Sequence, residues 1–326
     1  MLFAKNQISQ TQQMFFNSFL NTVFTKEKLI SIYDIKAQDY KTDIVQNTGF
    51  IKSHGAKSHG PVMGDISILS VNMYTPNNQV SNLELMAQEI TTLVDQHHPS
   101  FYTLQALNKL QLDSIKAALA PHYAVIGDMP TNTDLKTRKK EYRPLFYDTH
   151  DFQLLKDGTF VPAFHKDHAY ASFGVFRSVK DTTKIFTVVN MDLYSADAKY
   201  IQEQLYNIIK NIDDGTYSQY PVFLAGMINE QTEAVSDLIK TTFKNTLDLD
   251  TNNEFSSKTT FHHTGDLNDN VQRDFILLKD EKKVFRVNLS RILTLFESRI
   301  LHHYPIYTIL SYNGPNNKKS EAAKNL

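Results

Sequence analysis

The sequence predicts a layered α/β domain with mixed β-sheets and helices on the outer faces of the sheets. Two patterns carry this prediction. Short apolar runs that end in polar residues alternate with segments of helical periodicity, and some strand patterns follow one another directly, as in hairpins. The chain has 326 residues with 41% hydrophobic and 21% charged content, which suits one large globular domain or two ordinary ones.

The first half of the domain begins with a strand in DISILSVNMY, residues 65–74. Ser81 and Glu84 form a capping box that opens a helix, whose apolar face is formed by Leu83, Met86, Ile90, Leu93 and Val94. The run SFYTLQAL, residues 100–107, predicts a buried strand. A second helix follows it, with its inward positions at Leu110, Ile115 and Leu119.

The middle of the chain predicts three strands joined by turns, in RPLFYD, FQLLKDGTFV and ASFGVFRS. Within this region Asp157-Gly158 is a hairpin signal. KIFTVVNMDLYS predicts a further strand. The helix after it has an apolar stripe at Ile201, Leu205, Ile208, Ile209 and Ile212.

The stretch YPVFLAGMINEQ, residues 220–231, predicts a buried strand that leaves the sheet through a turn at Gly226. Asn229 and Thr232 suit the start of a helix that carries Val235, Leu238 and Ile239. QRDFILLKD and YPIYTILSY predict late strands. Polar residues gather at the strand exits, where sites are usually built: Asn72, Gln105, Asn190, Asp192, Asn229 and Asp274.

Three segments divide the chain by composition: an N-terminal extension and linker over 1–62, a domain over 63–314 and a polar C-terminal tail over 315–326. The linker contains KSHG twice, but His54 and His59 alone make an incomplete metal site. The N-terminus has no acidic residue before Glu27. It resembles a mitochondrial presequence weakly, and the alternative is an amphipathic extension packed on its own domain or on a partner.

Charge and cysteine content exclude several function classes. The net charge of −1 gives no long-range attraction to nucleic acid or to an anionic membrane. A basic loop with Lys136, Arg138, Lys139 and Lys140 is more often solvated than bound to phosphate. The chain has no cysteine, which removes disulfides, thiolate catalysis and cysteine-type zinc sites. No apolar run is long enough to span a membrane.

Several of these segments, in this order, resemble the endonuclease/exonuclease/phosphatase superfamily, which has the DNase I-like fold. The resemblance covers about residues 65–312 and rests on the strand exits quoted above, on FYTLQALNKLQLDSI, and on the closing segments TTFHH, VQRDFILL and LHHYPIYTIL. It implies four layers, with two packed mixed sheets flanked by helices. It also implies hydrolysis of phosphate esters with a divalent metal, usually magnesium.

Four positions match the residue that the resemblance requires: Asn72, Asn229, Asp274 and His303, and Asp274 could pair with His303. Four others depart from it. Ala106 stands where the family has its metal-binding glutamate, and Asp192 stands where it has a histidine. Met227 replaces the aspartate of the glycine turn, and His302 replaces the aspartate before the final histidine. Alanine and methionine can neither bind magnesium nor transfer protons.

The sequence therefore predicts a pseudoenzyme without cofactor or metal, acting as a structural or accessory subunit of a larger assembly. Its expected partners are other protein subunits, contacted partly through the N-terminal extension. Its expected location is intracellular, and the N-terminal composition points to mitochondria. Nucleic acid and membrane spans are not expected.

Two alternatives remain open. One is a relocated metal site drawn from His262, His263, His302, His303, Asp192 and Asp274. The other is phosphate or nucleotide binding without turnover through Asn72, Asn229 and His303, against which the negative charge of Asp192 counts.

Overall fold

The computed structural model describes residues 63–74, 83–119, 122–128, 132–133, 140–160, 171–193, 198–215, 218–229, 232–250, 259–261, 272–293 and 302–313. Several sequence predictions lie outside these residues. They are the extension over 1–62, the tail over 315–326, the cap at Ser81, and the candidates His54, His59, Lys136, Arg138, Lys139, His262 and His263.

Fourteen strands and five helices are present in the described part of the chain. The strands are β1 (Ile66–Asn72), β2 (Phe101–Gln105), β3 (Tyr123–Ile126), β4 (Asn132–Thr133), β5 (Lys140–Glu141), β6 (Leu145–Asp148), β7 (Phe152–Phe160), β8 (Ala171–Ser178), β9 (Ile185–Leu193), β10 (Val222–Ile228), β11 (Lys244–Asn245), β12 (Asp274–Lys279), β13 (Phe285–Ile292) and β14 (Ile306–Tyr312). The helices are α1 (Leu83–His97), α2 (Lys109–Leu119), α3 (Ala198–Asp213), α4 (Glu233–Thr242) and α5 (Thr246–Leu249).

Two mixed sheets of six strands each form the centre of the domain. Sheet 1 has the order β13-β14-β1-β2-β6-β3 and sheet 2 the order β11-β12-β10-β9-β8-β7. Each sheet contains one parallel pair, β1 with β2 in sheet 1 and β9 with β10 in sheet 2, among antiparallel neighbours. The prediction of mixed sheets is therefore confirmed.

Apolar side chains fill three layers of core, and these establish the order helix, sheet, sheet, helix. Phe101, Phe186 and Phe223 belong to the cluster between the sheets, where their rings meet edge to face. A second cluster joins α1 and α2 to sheet 1, and a third joins α3 and α4 to sheet 2. This is the four-layer arrangement that the resemblance implies. No helix among the described residues is long and apolar enough to cross a membrane.

The inward face of α2 corrects one sequence prediction. Leu110 is 54% exposed, whereas Leu112 is fully buried with Ile115 and Leu119. Because α2 begins at Lys109, the positions 112, 115 and 119 follow the helical repeat and point to the core, and Leu110 lies off this stripe. The predicted face was wrong by about half a turn at its first residue. Thr232, by contrast, caps α4 as predicted, its hydroxyl accepting the N–H of Val235.

Asp157-Gly158 does not form a hairpin turn. Both residues lie inside β7 and pair with Gly174 and Phe173 of β8. A side chain at Gly158 would collide with the Phe173 ring, at 2.7 Å, so the glycine serves a close cross-strand approach.

Besides the two-residue strands β4, β5 and β11, the strands β3 and β13 were not predicted from the sequence. β13 contains a bulge between Val287 and Leu289, which interrupts the alternation of buried and exposed residues. β3 is four residues long and only half-buried over most of its length. Both are edge or edge-adjacent elements of sheet 1, where burial imposes a weaker pattern on the sequence.

Candidate functional site

The candidate site lies where the carboxyl ends of the two parallel pairs come together. In sheet 1, Asn72 ends β1 opposite Gln105, which ends β2. In sheet 2, Met227 of β10 is in register with Asp192 of β9 on one side and with Asp274 of β12 on the other. Contacts between β1 and both β10 and β12 bring the two sheets together at this end. Polar strand ends from both sheets thus form one cluster.

Gly226 sets the position of Met227. Its φ of +133° is a conformation that residues with a side chain rarely adopt. A Cβ there would lie 1.9 Å from the carbonyl oxygen of Met191 in the neighbouring strand β9. Only glycine therefore allows β10 to pass this close to β9 while presenting the next side chain between two carboxylates.

The thioether of Met227 closes the gap between the sheets. The side-chain amide Nδ2 of Asn72 donates to Met227 Sδ at 3.0 Å, and both residues are buried. Asn72 Oδ1 in turn accepts the backbone N–H of Tyr74 at 2.9 Å. The asparagine that the family resemblance assigns to phosphate binding thus has two protein partners, the sulfur of Met227 and the backbone N–H of Tyr74.

Asp274 and His303 form a buried pair. His303 Nδ1 lies 2.7 Å from Asp274 Oδ2. Thr260 Oγ1 accepts the backbone N–H groups of Arg273 and Asp274, each at 2.9 Å, which fixes the start of β12. The ring of Phe261 meets the His303 imidazole edge-on, with centroids 4.9 Å apart. The Asp274 backbone is therefore fixed by Thr260, and the His303 ring by its packing against Phe261.

Asn229 is hydrogen-bonded by Arg273, the residue directly before β12. Arg273 Nη1 donates to Asn229 Oδ1 at 3.3 Å, and the guanidinium lies 4.1 Å from the centre of the Phe261 ring, a cation–π geometry. Asn229 thus has a protein partner of its own in the described structure.

Asp192 is paired with Arg143, a residue that the sequence analysis did not select. Arg143 Nη2 donates to Asp192 Oδ2 at 3.0 Å, and it lies 3.6 Å from Glu141 Oε2. The side chains of Arg143 and Asp192 are 1% and 4% exposed. Arg143 therefore compensates the negative charge of Asp192 within the protein, which weakens the objection to phosphate that rested on that charge, while Glu141 supplies a second carboxylate beside the same guanidinium.

The arginine that precedes the buried strand β6 in RPLFYD was the signal available for this pair, since a charged residue next to a buried strand needs a partner.

Gln105 and Asn190 connect the sheets beneath the site. Gln105 Nε2 donates to Asn190 Oδ1 at 2.8 Å, and Asn190 Nδ2 donates to the carbonyl oxygens of Leu104 and Pro144, both at 2.8 Å. Both side chains are fully buried. Two of the predicted polar strand-end residues therefore form buried hydrogen bonds between the sheets and do not face a cleft.

The remaining candidates lie at the edge of the cluster. Ala106 follows β2 directly with a φ of +58°, a left-handed conformation that costs energy for a residue other than glycine. His302 precedes His303 and is half-buried. Within the described residues, no three His, Asp or Glu side chains are grouped so as to hold a metal ion.

These positions do not fit the magnesium ion that the resemblance implies. Magnesium binds oxygen ligands and tolerates little departure from octahedral geometry. Ala106 supplies no ligand atom, Met227 supplies a soft sulfur, and Asp192 Oδ2 already accepts from Arg143.

Solved structures with the same fold include phosphoesterases. The chain is 18% identical to an endonuclease/exonuclease/phosphatase from Bacteroides vulgatus, covering 76% of this chain and 99% of that one, with a TM-score of 0.64. It is 19% identical to a Bacteroides thetaiotaomicron mannosyl-6-phosphatase, covering 75% and 99% with a TM-score of 0.59. For the human Nocturnin catalytic domain with bound sulfate the values are 14%, 76% and 93%, and the TM-score is 0.61.

The DNase I-like fold is thereby shown, since all three similarities cover 93% or more of the solved chain. No protein-family model matches the sequence. Among curated proteins, the chain is 30% identical over 268 residues to the uncharacterized protein ECU07_0920 of Encephalitozoon cuniculi, covering 81% of this chain and 84% of that protein.

Proposed function

We propose that this chain, which belongs to the same family as ECU07_0920 of Encephalitozoon cuniculi and has the DNase I-like fold, is a pseudoenzyme that serves as a protein subunit of a larger assembly. Its fold is that of metal-dependent phosphoesterases. Its site residues have a different use, which is to hold the two sheets together.

One observation carries the proposal of inactivity. Met227 occupies the position between Asp192 and Asp274 where the resemblance expects an acid, and its sulfur contacts Asn72 across the site. A buried thioether neither binds magnesium nor accepts a proton. With Ala106 in place of the metal-binding glutamate, neither of these two positions supplies an oxygen ligand or a proton acceptor. Loss of several members of a catalytic unit removes nearly all of its rate enhancement.

The subunit role follows from what the chain keeps. The core layers and the glycine turn are preserved in full, although the site chemistry that such a fold usually supports is not. Segments over 1–62 and 315–326 flank the domain in the sequence, and we propose that they contribute contacts to other proteins. The mitochondrial location suggested by the N-terminal composition stays a prediction.

Phosphate or nucleotide binding without turnover is the second candidate. The pairing of Arg143 with Asp192 favours it, because the guanidinium compensates the charge of Asp192, but Glu141 beside the same guanidinium adds a second carboxylate that counts against an anionic ligand. Its weakness is that Asn72 and Asn229 already have protein partners, which a phosphate would have to displace at the cost of their hydrogen bonds.

The test is an assay of the purified full-length chain for phosphatase and nuclease activity with magnesium and with manganese. We expect no turnover above that of the His303→Ala variant, and no metal retained after gel filtration. Turnover by the wild-type chain that disappears in His303→Ala would refute the inactivity. Saturable binding of a nucleoside monophosphate without turnover would establish the second candidate instead.

The subunit role needs a separate experiment. The chain, tagged at its native level in the source cells, should migrate in a particle much larger than its 37.4 kDa on native gel filtration. Deletion of residues 1–62 should release it from that particle. A chain that migrates as a free monomer at native concentration contradicts the subunit role without affecting the assignment of inactivity.

A further inference from the structure

Arg143 is the most deeply enclosed cation among the described residues that bear on the site. It ranks among the largest fully buried side chains, with 1% of its side chain exposed. It directly precedes β6 of sheet 1, yet its guanidinium contacts Asp192 on β9 of sheet 2. Its own backbone carbonyl accepts the hydroxyl of Ser172 on β8 at 2.7 Å. One residue thus joins the sheets through both its main chain and its side chain.

We propose that Arg143 is a resident cation that replaces a metal ion in this site. It neutralises Asp192, approaches Glu141 and links the two sheets at the end where their strands converge. The inference deepens the proposed function and rests on it in one respect, namely that no divalent metal is used. It adds the identity of the group that carries the positive charge.

The charge distribution supports this role. Met227 separates Asp192 from Asp274 in the sheet, so the two carboxylates cannot share one counter-charge through their common neighbour. Each has its own nitrogen-containing partner instead: the Arg143 guanidinium for Asp192 and the His303 imidazole for Asp274. A carboxylate as buried as Asp192 requires such a partner, because its desolvation is otherwise very costly.

Guanidinium chemistry suits this substitution. Arginine keeps its charge at all accessible pH values, and its planar group presents several donors at fixed angles to neighbouring carboxylates. A tethered guanidinium also needs no exchange with the solution, and it is present whatever the metal concentration. The site consequently has a cation that no chelator removes.

Four variants of the full chain test the charge role: Arg143→Met, Asp192→Asn, the double variant, and Arg177→Met as the matched control. Arg177 is an arginine on β8 whose guanidinium donates to Gln153 at an exposed position. Arg143→Met leaves Asp192 buried without its cation and should lower the unfolding midpoint by about 10 °C. Arg177→Met should lower it by about 2 °C or less.

The double variant distinguishes charge from packing. Removing Asp192 together with Arg143 removes the uncompensated charge, so its midpoint should lie well above that of Arg143→Met alone. If Arg143→Met is insoluble, recovery of soluble protein in the double variant is the same result. A double variant as unstable as Arg143→Met, or an Arg143→Met chain as stable as the control, overturns the proposal.

Manganese provides an independent measurement. Mn²⁺ is titrated into the wild-type chain and into Asp192→Asn, and binding is followed by electron paramagnetic resonance. We expect the same result for both chains, because Asp192 does not bind the ion. One ion bound by the wild type and lost in Asp192→Asn would overturn the proposal, since Asp192 would then serve a metal and not Arg143. This failure is distinct from that of the proposed inactivity, which turnover by the wild type would refute, and from that of the subunit role, which migration as a free monomer would contradict.

Discussion

Two buried carboxylates, Asp274 and Asp192, flank Met227 in sheet 2 and are stabilised in different ways. Asp274 pairs with His303, and the hydroxyl of Thr260 holds the main chain at the start of its strand. Asp192 pairs with Arg143, which comes from the other sheet. The Asp274 region retains a pair that the family resemblance describes, whereas the Asp192 region has acquired a pair of its own.

This difference shows that two buried acids in one sheet can meet the same physical requirement with different partners. A buried acid needs a hydrogen-bonded or oppositely charged partner, and the space between packed sheets needs to be filled. At Asp192 the first requirement is met by Arg143, and the thioether of Met227 meets the second. The result is a strand end at which buried side-chain contacts join the two sheets.

Gly226→Ala should have the largest effect, because it disturbs both regions at once. A methyl group at this position would meet the carbonyl oxygen of Met191 at 1.9 Å, and the φ of +133° is unfavourable for alanine. We expect a loss of more than about 4 kcal/mol in the free energy of unfolding, or insoluble protein. Chemical denaturation followed by circular dichroism measures the loss.

Gly215→Ala is the control for this prediction. Gly215 lies after α3, away from the site, and its nearest obstacle is the carbonyl oxygen of Asn211 at 2.8 Å without an unfavourable φ. Its effect should be much smaller. Equal losses in the two variants would mean that the approach of β10 to β9 is not specially constrained.

Met227→Asp should have the next largest effect and tests what separates the two regions. The new carboxylate would be buried between Asp192 and Asp274, where desolvation and like charge raise its pKa. A carboxyl group whose pKa is raised in the folded state lowers the free energy of unfolding at pH values above its unfolded pKa. This loss becomes smaller as the pH falls. We expect a loss of about 3 kcal/mol at pH 8 that shrinks toward pH 5.

Met227→Leu keeps the volume and removes only the contact of sulfur with the Asn72 amide, so its loss should be below about 1.5 kcal/mol and independent of pH. Denaturation at a series of pH values compares the two variants. A Met227→Asp chain as stable as Met227→Leu at pH 8 would show that water or a counter-ion reaches the space between the carboxylates.

His97 gives the smallest expected effect and lies outside both regions. Burial lowers its pKa to about 4, and His98 adds to this shift. Since an unfolded histidine has a pKa near 6.5, the unfolded chain binds more protons between about pH 4 and 6.5. Stability should therefore fall as pH falls through this window, by about 1–3 kcal/mol after allowance for the partial exposure of the ring.

His97→Gln should flatten this part of the pH profile, because glutamine does not titrate. The ring of Tyr307, 4.6 Å from that of His97, remains as a packing partner. The measurement is the unfolding free energy of both chains from pH 4 to 7.5. An unchanged slope in His97→Gln would assign the pH dependence to other groups. If the slope is lost, Met227→Asp is best measured in a chain that also carries His97→Gln, because His97 then adds nothing to the pH profile.

Much of the fold followed from sequence because long buried strands and amphipathic helices impose periodic patterns. β10, α3 and α4 are examples, each predicted with its buried residues. β13 escaped prediction because its bulge breaks the period, and Asp157-Gly158 misled because a glycine required by an opposing ring resembles one required by a turn. Local pattern cannot distinguish these two needs of a glycine.

The candidate site divides in the same way. The pairing of Asp274 with His303 could be anticipated because both positions match motifs of the resembled family, and the structure has this pair at 2.7 Å. Arg143 could not be assigned to Asp192 from sequence, since the two are 49 residues apart and lie in different sheets. Their contact depends on how the sheets are packed, which no local spacing encodes.

The apolar side chain between two acids also has an evolutionary consequence. A mutation that restores an acid at Met227 adds a third buried charge next to Asp192 and Asp274, and it lowers stability before any metal can be bound. A mutation that frees Asp192 by removing Arg143 does the same. Each single substitution toward a more acidic site is therefore expected to give a less stable protein. Selection for stability would act against such substitutions whether or not they improve metal binding.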